Sequence, residues 1–162
     1  MRILSRRYSL SRPKIPMTNA NPYRPVDENA CQTARDLIEN ANFGALAVLR
    51  PDTALPSVSR VALATDDLGR PVTLISTLAD HTRALVADSA CALLVGEPGD
   101  LGDPLTHPRL TLHAAANFIA RGTEEHDALR ARYLGLRPKA KLYVDFTDFG
   151  FVTFTVSVTR QK

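Results

Sequence analysis

The sequence predicts a mainly β (α+β) domain in which six strands, mostly antiparallel, form a small barrel with peripheral helices. Three observations carry this. Six short apolar runs are set apart by turns rich in Gly, Pro and Asp, without the regular strand–helix alternation of a doubly wound sheet. Helical periodicity occurs only before the first run, between the third and fourth, and before the sixth, which suits helices at the edge of a barrel. The chain has 162 residues, 44% hydrophobic and 23% charged, the size and composition of one globular domain that buries a core without disulfides or metal.

Taken in order, Pro22 and Pro25 close an N-terminal tail, and Asp27 is placed to cap a helix running to about Asn42. Ala30, Ala34, Leu37, Ile38 and Ala41 fall on one face of it. Three strands follow as a meander: Phe43–Arg50, Ser57–Thr65 and Pro71–Ser76, joined by Pro51–Pro56 and by the hairpin turn Asp66–Arg70. A helix is expected over Asp80–Asp88, then a fourth strand, Ala90–Gly96, and a loop over Glu97–Pro108. The fifth strand, Arg109–Ala120, places Leu110, Leu112, Ala114 and Ala116 on one face. Thr123 caps a helix from Glu124 to about Leu134, with Glu125, His126 and Arg130 expected to be exposed. A short helix at Pro138–Tyr143 precedes the last strand, Phe149–Val158, in which Val152, Phe154, Val156 and Val158 alternate with Phe151, Thr153, Thr155 and Ser157.

The net charge of +3 belongs to the tail. Arg2, Arg6, Arg7, Arg12 and Lys14 account for five of the 20 Lys and Arg, leaving 15 against 17 Asp and Glu, about −2. Residues 1–24 are therefore expected to be a solvated, disordered basic tail and 25–162 one folded domain, with neither nucleic acid nor membrane as partner. The tail lacks the apolar core of a secretory signal. Being rich in Arg and Ser and free of acids, it also suits a transit segment, and Met17 is an alternative start. No apolar run approaches the roughly 18 residues of a membrane span. Cys31 and Cys91 have no C-x-x-C partner and are expected as two buried thiols in a reducing cytoplasm.

The chain contains no G-x-S-x-G, P-loop, G-x-G-x-x-G or H-E-x-x-H motif, and His81, His107, His113 and His126 lack ligand spacing. One segment carries chemistry: Ser76–Thr77–Leu78–Ala79–Asp80–His81–Thr82–Arg83, which joins a strand end to the first turn of a helix. Free backbone N–H groups and the positive end of the helix dipole favour an anion there. Ser76, Thr77 and Thr82 offer hydroxyls, and Arg83 offers a fork suited to phosphate. Asp80 opposes an anion unless it caps the helix and points away. The alternative is an ordinary N-cap with a solvated face. Arg60, in a strand of small and apolar residues, needs a partner, either a cofactor phosphate or a carboxylate such as Asp66 or Asp67. Arg109 opens the fifth strand in the same way.

Pro56–Arg60, Asp66–Pro71 and Leu74–Leu85 together resemble the FMN-binding split barrels related to pyridoxamine-phosphate oxidase. The continuation Ala92–Glu97 and Gly102–Leu112 is similar to the branch of haem-utilisation proteins with haem-oxygenase activity. The resemblance runs from about residue 30 to 158, and Leu78–Leu85 and Gly102–Leu112 are its specific parts. It implies a six-stranded split barrel that works as a homodimer with FMN at the interface. By position, the cofactor residues it implies are Ser59, Arg60 and Val61, then Ser76 and Thr77, then His81, Thr82 and Arg83, with Arg109 approaching from the second subunit. Ala62, Ala64, Ala114, Ala115 and Ala116 are small enough to let two sheets approach closely. Two features depart from the pattern. The end of the chain, Val156–Lys162, has no Arg-x-His motif, so pyridoxamine phosphate is not the expected substrate. The sequence also stops after strand six, where haem-utilisation proteins continue into a second domain that contacts haem.

The resulting expectation is an FMN-dependent oxidoreductase acting on a small substrate. No side chain is marked as its catalytic acid or base, and His81 and His107 are the nearby groups of suitable intrinsic pKa. The alternatives are a non-catalytic flavin or haem carrier or sensor, and a barrel that has lost its ligand.

Overall fold

The computed structural model describes residues 27–156. The expectations for the tail, and for Ser157 and Val158 at the end of the last strand, lie outside the described residues.

Helix α1 (Glu28–Glu39) starts where a cap residue precedes a periodic run: the Asp27 carboxylate accepts from the Ala30 N–H at 2.7 Å. Then come β1 (Phe43–Leu49), β2 (Pro56–Ala62), β3 (Ala64–Thr65) and β4 (Pro71–Ser76), followed by α2 (Asp80–Ala87) and β5 (Ala90–Val95). A 3-10 turn at Pro104–Thr106 leads to β6 (Leu110–Phe118), α3 (Glu124–Leu136), a second 3-10 turn at Pro138–Leu142, and β7 (Phe149–Val156). All pairings are antiparallel.

The expected second strand is two. The sheet order is β2-β1-β5-β6-β7-β4-β3, so its two ends are consecutive pieces of chain separated by Leu63. The sheet therefore curls until one run of residues serves both edges. On one side of Leu63 the run pairs with β1, with Ala62 opposite Phe43; on the other it pairs with β4, with Ala64 opposite Val72. Changing partners strands backbone groups, and side chains from elsewhere satisfy them. The buried Thr73 hydroxyl donates to the Ala62 carbonyl at 2.8 Å, and Arg137 Nε donates to the Leu63 carbonyl at 2.7 Å. The Leu63 N–H donates to the Asn42 carbonyl.

Two cores follow from the curl. Inside lie Leu46, Val48, Val61, Leu63, Leu93, Leu112, Val152 and Phe154, with Ala84 and Leu85 of α2 packed against them. Outside, α3 covers the sheet through Leu129 and Tyr133 against Val72, Leu74 and Phe151. Strand β7 thus buries both faces from Phe151 to Phe154, although its alternation suggested one buried face. The expected exposure of His126 is also corrected: it is buried, edge-on to Phe151 with ring centroids 5.5 Å apart. It lies three and seven residues before Leu129 and Tyr133, on the packed face of α3. Arg130 is half-buried and bonded to Asp145 at 2.7 and 2.8 Å.

Both cysteines are free and half-buried, less enclosed than expected. Burial pushes the Cys91 thiol up to about 11, and it donates to the Ala114 carbonyl. Among the described residues no helix is long and apolar enough to cross a membrane.

Candidate cofactor site

The expected anion-binding segment forms as a strand end leading into a helix. Strand β4 ends at Ser76 and α2 begins at Asp80, with Ala79 as an N-cap that has no side-chain cap. In α1 and α3 the caps Asp27 and Thr123 accept from the third helical N–H, that of Ala30 and of His126, whereas in α2 the equivalent N–H, that of Thr82, turns to the Ala79 carbonyl. Among the described residues, the N–H groups of Asp80 and His81 have no partner, whereas those of Thr82 and Arg83 both donate to the Ala79 carbonyl. Two N–H groups and the helix dipole thus remain available to an anion.

The hydroxyls are arranged differently from expectation. The Ser76 hydroxyl donates to Asp148 Oδ2 at 2.7 Å and accepts from the Leu78 N–H. The Thr82 hydroxyl, buried, donates to the Ser76 carbonyl at 2.6 Å. Both protons hold the turn together, so neither reaches a ligand. Thr77 is exposed, and its N–H donates to the Asp148 carbonyl at 2.7 Å. Residue type revealed three hydroxyls; only the fold shows that two are already spent.

Arg83 is exposed and paired with Asp80 one turn back on α2. Asp80 therefore neither caps the helix nor points away. Across from it, the turn after β1 supplies Arg50, which the sequence reading passed over as the end of a strand. Arg50, Pro51, Asp52, Asp80 and Arg83 line one cleft of about 300 Å3. Its chemistry is two guanidinium forks, each paired with a carboxylate, Arg50 with Asp52 and Arg83 with Asp80; a fork released from its partner fits a carboxylate or phosphate. His81 is half-buried in the first turn of α2; burial holds its imidazole below the usual value, against the pull of Asp80. A neutral ring can bond a ligand or bind iron.

The other expected residues lie elsewhere. Val61 is buried in the inner core, Ser59 is half-buried on the same strand, and Arg60 is exposed. The Arg60 guanidinium lies 4.7 Å from the centre of the Phe43 ring, so its partner is an aromatic face and neither proposed carboxylate. Asp66 accepts from Arg70, and Asp67 from Arg132. Arg60 stands opposite Ala45, five residues from Arg50 along β1, about 16 Å at strand rise. Arg109 is exposed, donates to the Leu105 carbonyl at 2.9 Å, and follows the loop that packs on Gly96. Of the nine residues, Ser76, Thr77, His81, Thr82 and Arg83 gather at the start of α2, while Ser59, Arg60, Val61 and Arg109 lie elsewhere. His107 does not serve as a free acid or base: it accepts from the Gly99 N–H through Nδ1 and bonds the Leu101 carbonyl through Nε2. No group of three metal-ligating side chains occurs among the described residues.

The curled antiparallel sheet with peripheral helices gives the chain the split-barrel fold that the resemblance implied. No protein-family model matches. The chain is 39% identical over 106 residues to the chloroplastic non-canonical heme oxygenase HOZ of Arabidopsis thaliana; the match covers 65% of this chain and 31% of that one. One solved structure, 38% identical, superimposes with a TM-score of 0.72 over 82% of this chain and 85% of its own. The heme binding protein from Mycobacterium smegmatis is 31% identical, with a TM-score of 0.72 over 82% of this chain and 53% of that chain. The chain thus spans about a third of the curated relative and about half of the heme binding protein.

Proposed function

We propose that the chain binds haem, with an acidic propionate at the N-terminus of α2 and Arg83 as its charged partner. The observation that supports this most is that the two relatives above 30% identity whose names state a ligand are both haem proteins. The cleft chemistry agrees with it, since a propionate needs donors and a cation. When bound, haem would supply the iron chemistry, and the chain's own residues would anchor its acidic edge. Adding hemin to the purified protein is expected to produce a saturable, shifted Soret band. A spectrum that stays that of free hemin would overturn the reading.

A second reading keeps FMN as cofactor and an oxidoreductase role on a small substrate. The free N–H groups of Asp80 and His81 favour it, because a helix N-terminus suits a phosphate. Quenching of FMN fluorescence on titration, without a Soret shift for hemin, would select it. Under either reading Arg83→Ala is expected to weaken the acidic ligand about tenfold while the fold survives. Arg83→Lys recovers part of that, since an ammonium keeps the charge and not the planar fork. Equal affinities would remove Arg83 from the site.

We also propose that the chain is a homodimer in a reducing compartment such as the cytoplasm, the latter supported by its two free thiols. Most of the alanines expected at a dimer face are unsuited to it: Ala64, Ala114 and Ala116 are buried in the cores. The outer face of β2, β1 and β5 fits better. Ala45, Ala47 and Ala92 form a low floor there, flanked by Leu49, Val58 and Leu94, which are 52%, 66% and 42% exposed. Arg60 lies on this face, so a site built by two subunits would recruit it from the partner. Light scattering is expected to give twice the monomer mass for the wild type and the monomer mass for Val58→Glu. A wild-type monomer at micromolar concentration with ligand bound would defeat this proposal.

A further inference from the structure

We infer that Arg50 is a second anchor for the cofactor's acidic group, and that Asp52 and Asp80 are internal stand-ins for that group. This rests on the reading that an acidic cofactor docks at the N-terminus of α2. Arg50 and Arg83 open onto the same cleft of about 300 Å3 from two elements, the turn after β1 and the first turn of α2. Both forks are occupied by carboxylates. Asp52 takes Arg50 in two-pronged fashion, Nε to Oδ1 at 3.2 Å and Nη2 to Oδ2 at 2.9 Å, and Asp80 takes Arg83. The field of Asp80 also reaches Arg50 and, after Asp52, helps hold its guanidinium charged.

A paired set of oxygens on a planar fork is the contact that a propionate or a phosphate would make. Each carboxylate therefore fills the position of a ligand group. Release is cheap, because Asp52 and Asp80 are 58% and 60% exposed and return to water when displaced. Arg50 is presented from a built turn: its N–H donates to the Leu55 carbonyl at 3.0 Å and its carbonyl accepts from the Ala54 N–H at 2.8 Å. Ala54 closes that turn at a φ of 53°, a conformation that costs an alanine. With two cations and two carboxylates, the cleft carries no net charge to attract small anions from a distance, so a ligand group must displace a carboxylate to bind.

Wild type, Arg50→Gln and Asp80→Asn are titrated with hemin and FMN, and with the neutral counterparts haem dimethyl ester and riboflavin. Whichever acidic ligand binds wild type is expected to bind Arg50→Gln about tenfold more weakly and Asp80→Asn about two- to fivefold more tightly, with the neutral counterpart unmoved. A response to hemin assigns the group as propionate, a response to FMN as phosphate. Equal affinity of all three proteins for the acidic ligand overturns the inference and leaves the cofactor reading standing. Equal weakening of acidic and neutral ligands by Arg50→Gln also overturns it, since Arg50 would then act only through its turn. A wild type that binds neither hemin nor FMN overturns both.

Discussion

Replacing Arg137 with alanine is expected to lower the melting temperature by about 6–15 °C, the largest loss from any single polar side chain described above. Arg137 follows α3, and its guanidinium donates to the carbonyls of Leu63 and Ala41 at 2.7 and 2.8 Å. The first marks the point where the chain leaves β1 for β4, and the second the exit from α1. Hydrogen bonds from a charged donor are worth about 1.5–3 kcal/mol each, and here each also satisfies a part-buried carbonyl. Removing both should cost about 3–4 kcal/mol, and a protein of this size loses about 2–4 °C per kcal/mol. Arg137→Lys should recover part of the loss, because an ammonium serves the two carbonyls without the planar fork. Arg35→Ala, on the exposed side of α1, is the control and should shift the melting point little. A melting temperature for Arg137→Ala within a degree of wild type would show that the strand junction holds without its clamp.

Gly96→Ala is expected to be comparably damaging, for a steric reason. Gly96 closes β5 at a φ of +96°, and a Cβ there would lie 2.6 Å from the Pro108 carbonyl oxygen and 2.7 Å from the Arg109 Cα. Both are backbone atoms, so no rotamer relieves the clash. Left-handed strain of about 1–2 kcal/mol and overpacking of about 1–3 kcal/mol act together. The base of the loop before β6 has to move, carrying Arg109 with it. Gly69 is the control: its φ is +75°, and nothing lies within 4 Å of its would-be Cβ. Gly69→Ala should therefore lose about 1–2 kcal/mol from backbone strain alone. Thermal melts of the two variants separate the terms, and equal losses would mean that the contact with Pro108 and Arg109 contributes nothing.

The local signals were legible because their causes are local. The Asp27 and Thr123 caps act over three residues, and helices α1 and α3 start where those caps predict. The apolar runs ended within one or two residues of the observed strands wherever Gly, Pro or Asp followed them. The unbroken run Ser57–Thr65 could not reveal its division. Nothing in it interrupts; the break at Leu63 arises because its pairing partner changes from β1 to β4. Its repair comes from Thr73 and from Arg137, which is 74 residues away. The curl likewise gave β7 two buried faces and turned His126 inward, since α3 has only a weak apolar stripe of its own.

The site divides in the same way. The residues along the chain set the local element, an apolar strand running into a helix with Arg83 in its first turn, and left open whether that helix is capped. Backbone hydrogen bonding and residue type set that element, and both can be read along the chain. Which groups remain available there depends on the closed fold. A hydroxyl has one proton to give, and Ser76 gives its proton to Asp148, 72 residues away, while Thr82 gives its own to the Ser76 carbonyl. The same folding brings Arg50 to Arg83 and leaves Arg60 about 16 Å along β1, over Phe43. Where a side chain's charge or proton is spent depends on which atoms the closed sheet brings within 3 Å, and residues far apart in sequence become neighbours only once it has closed.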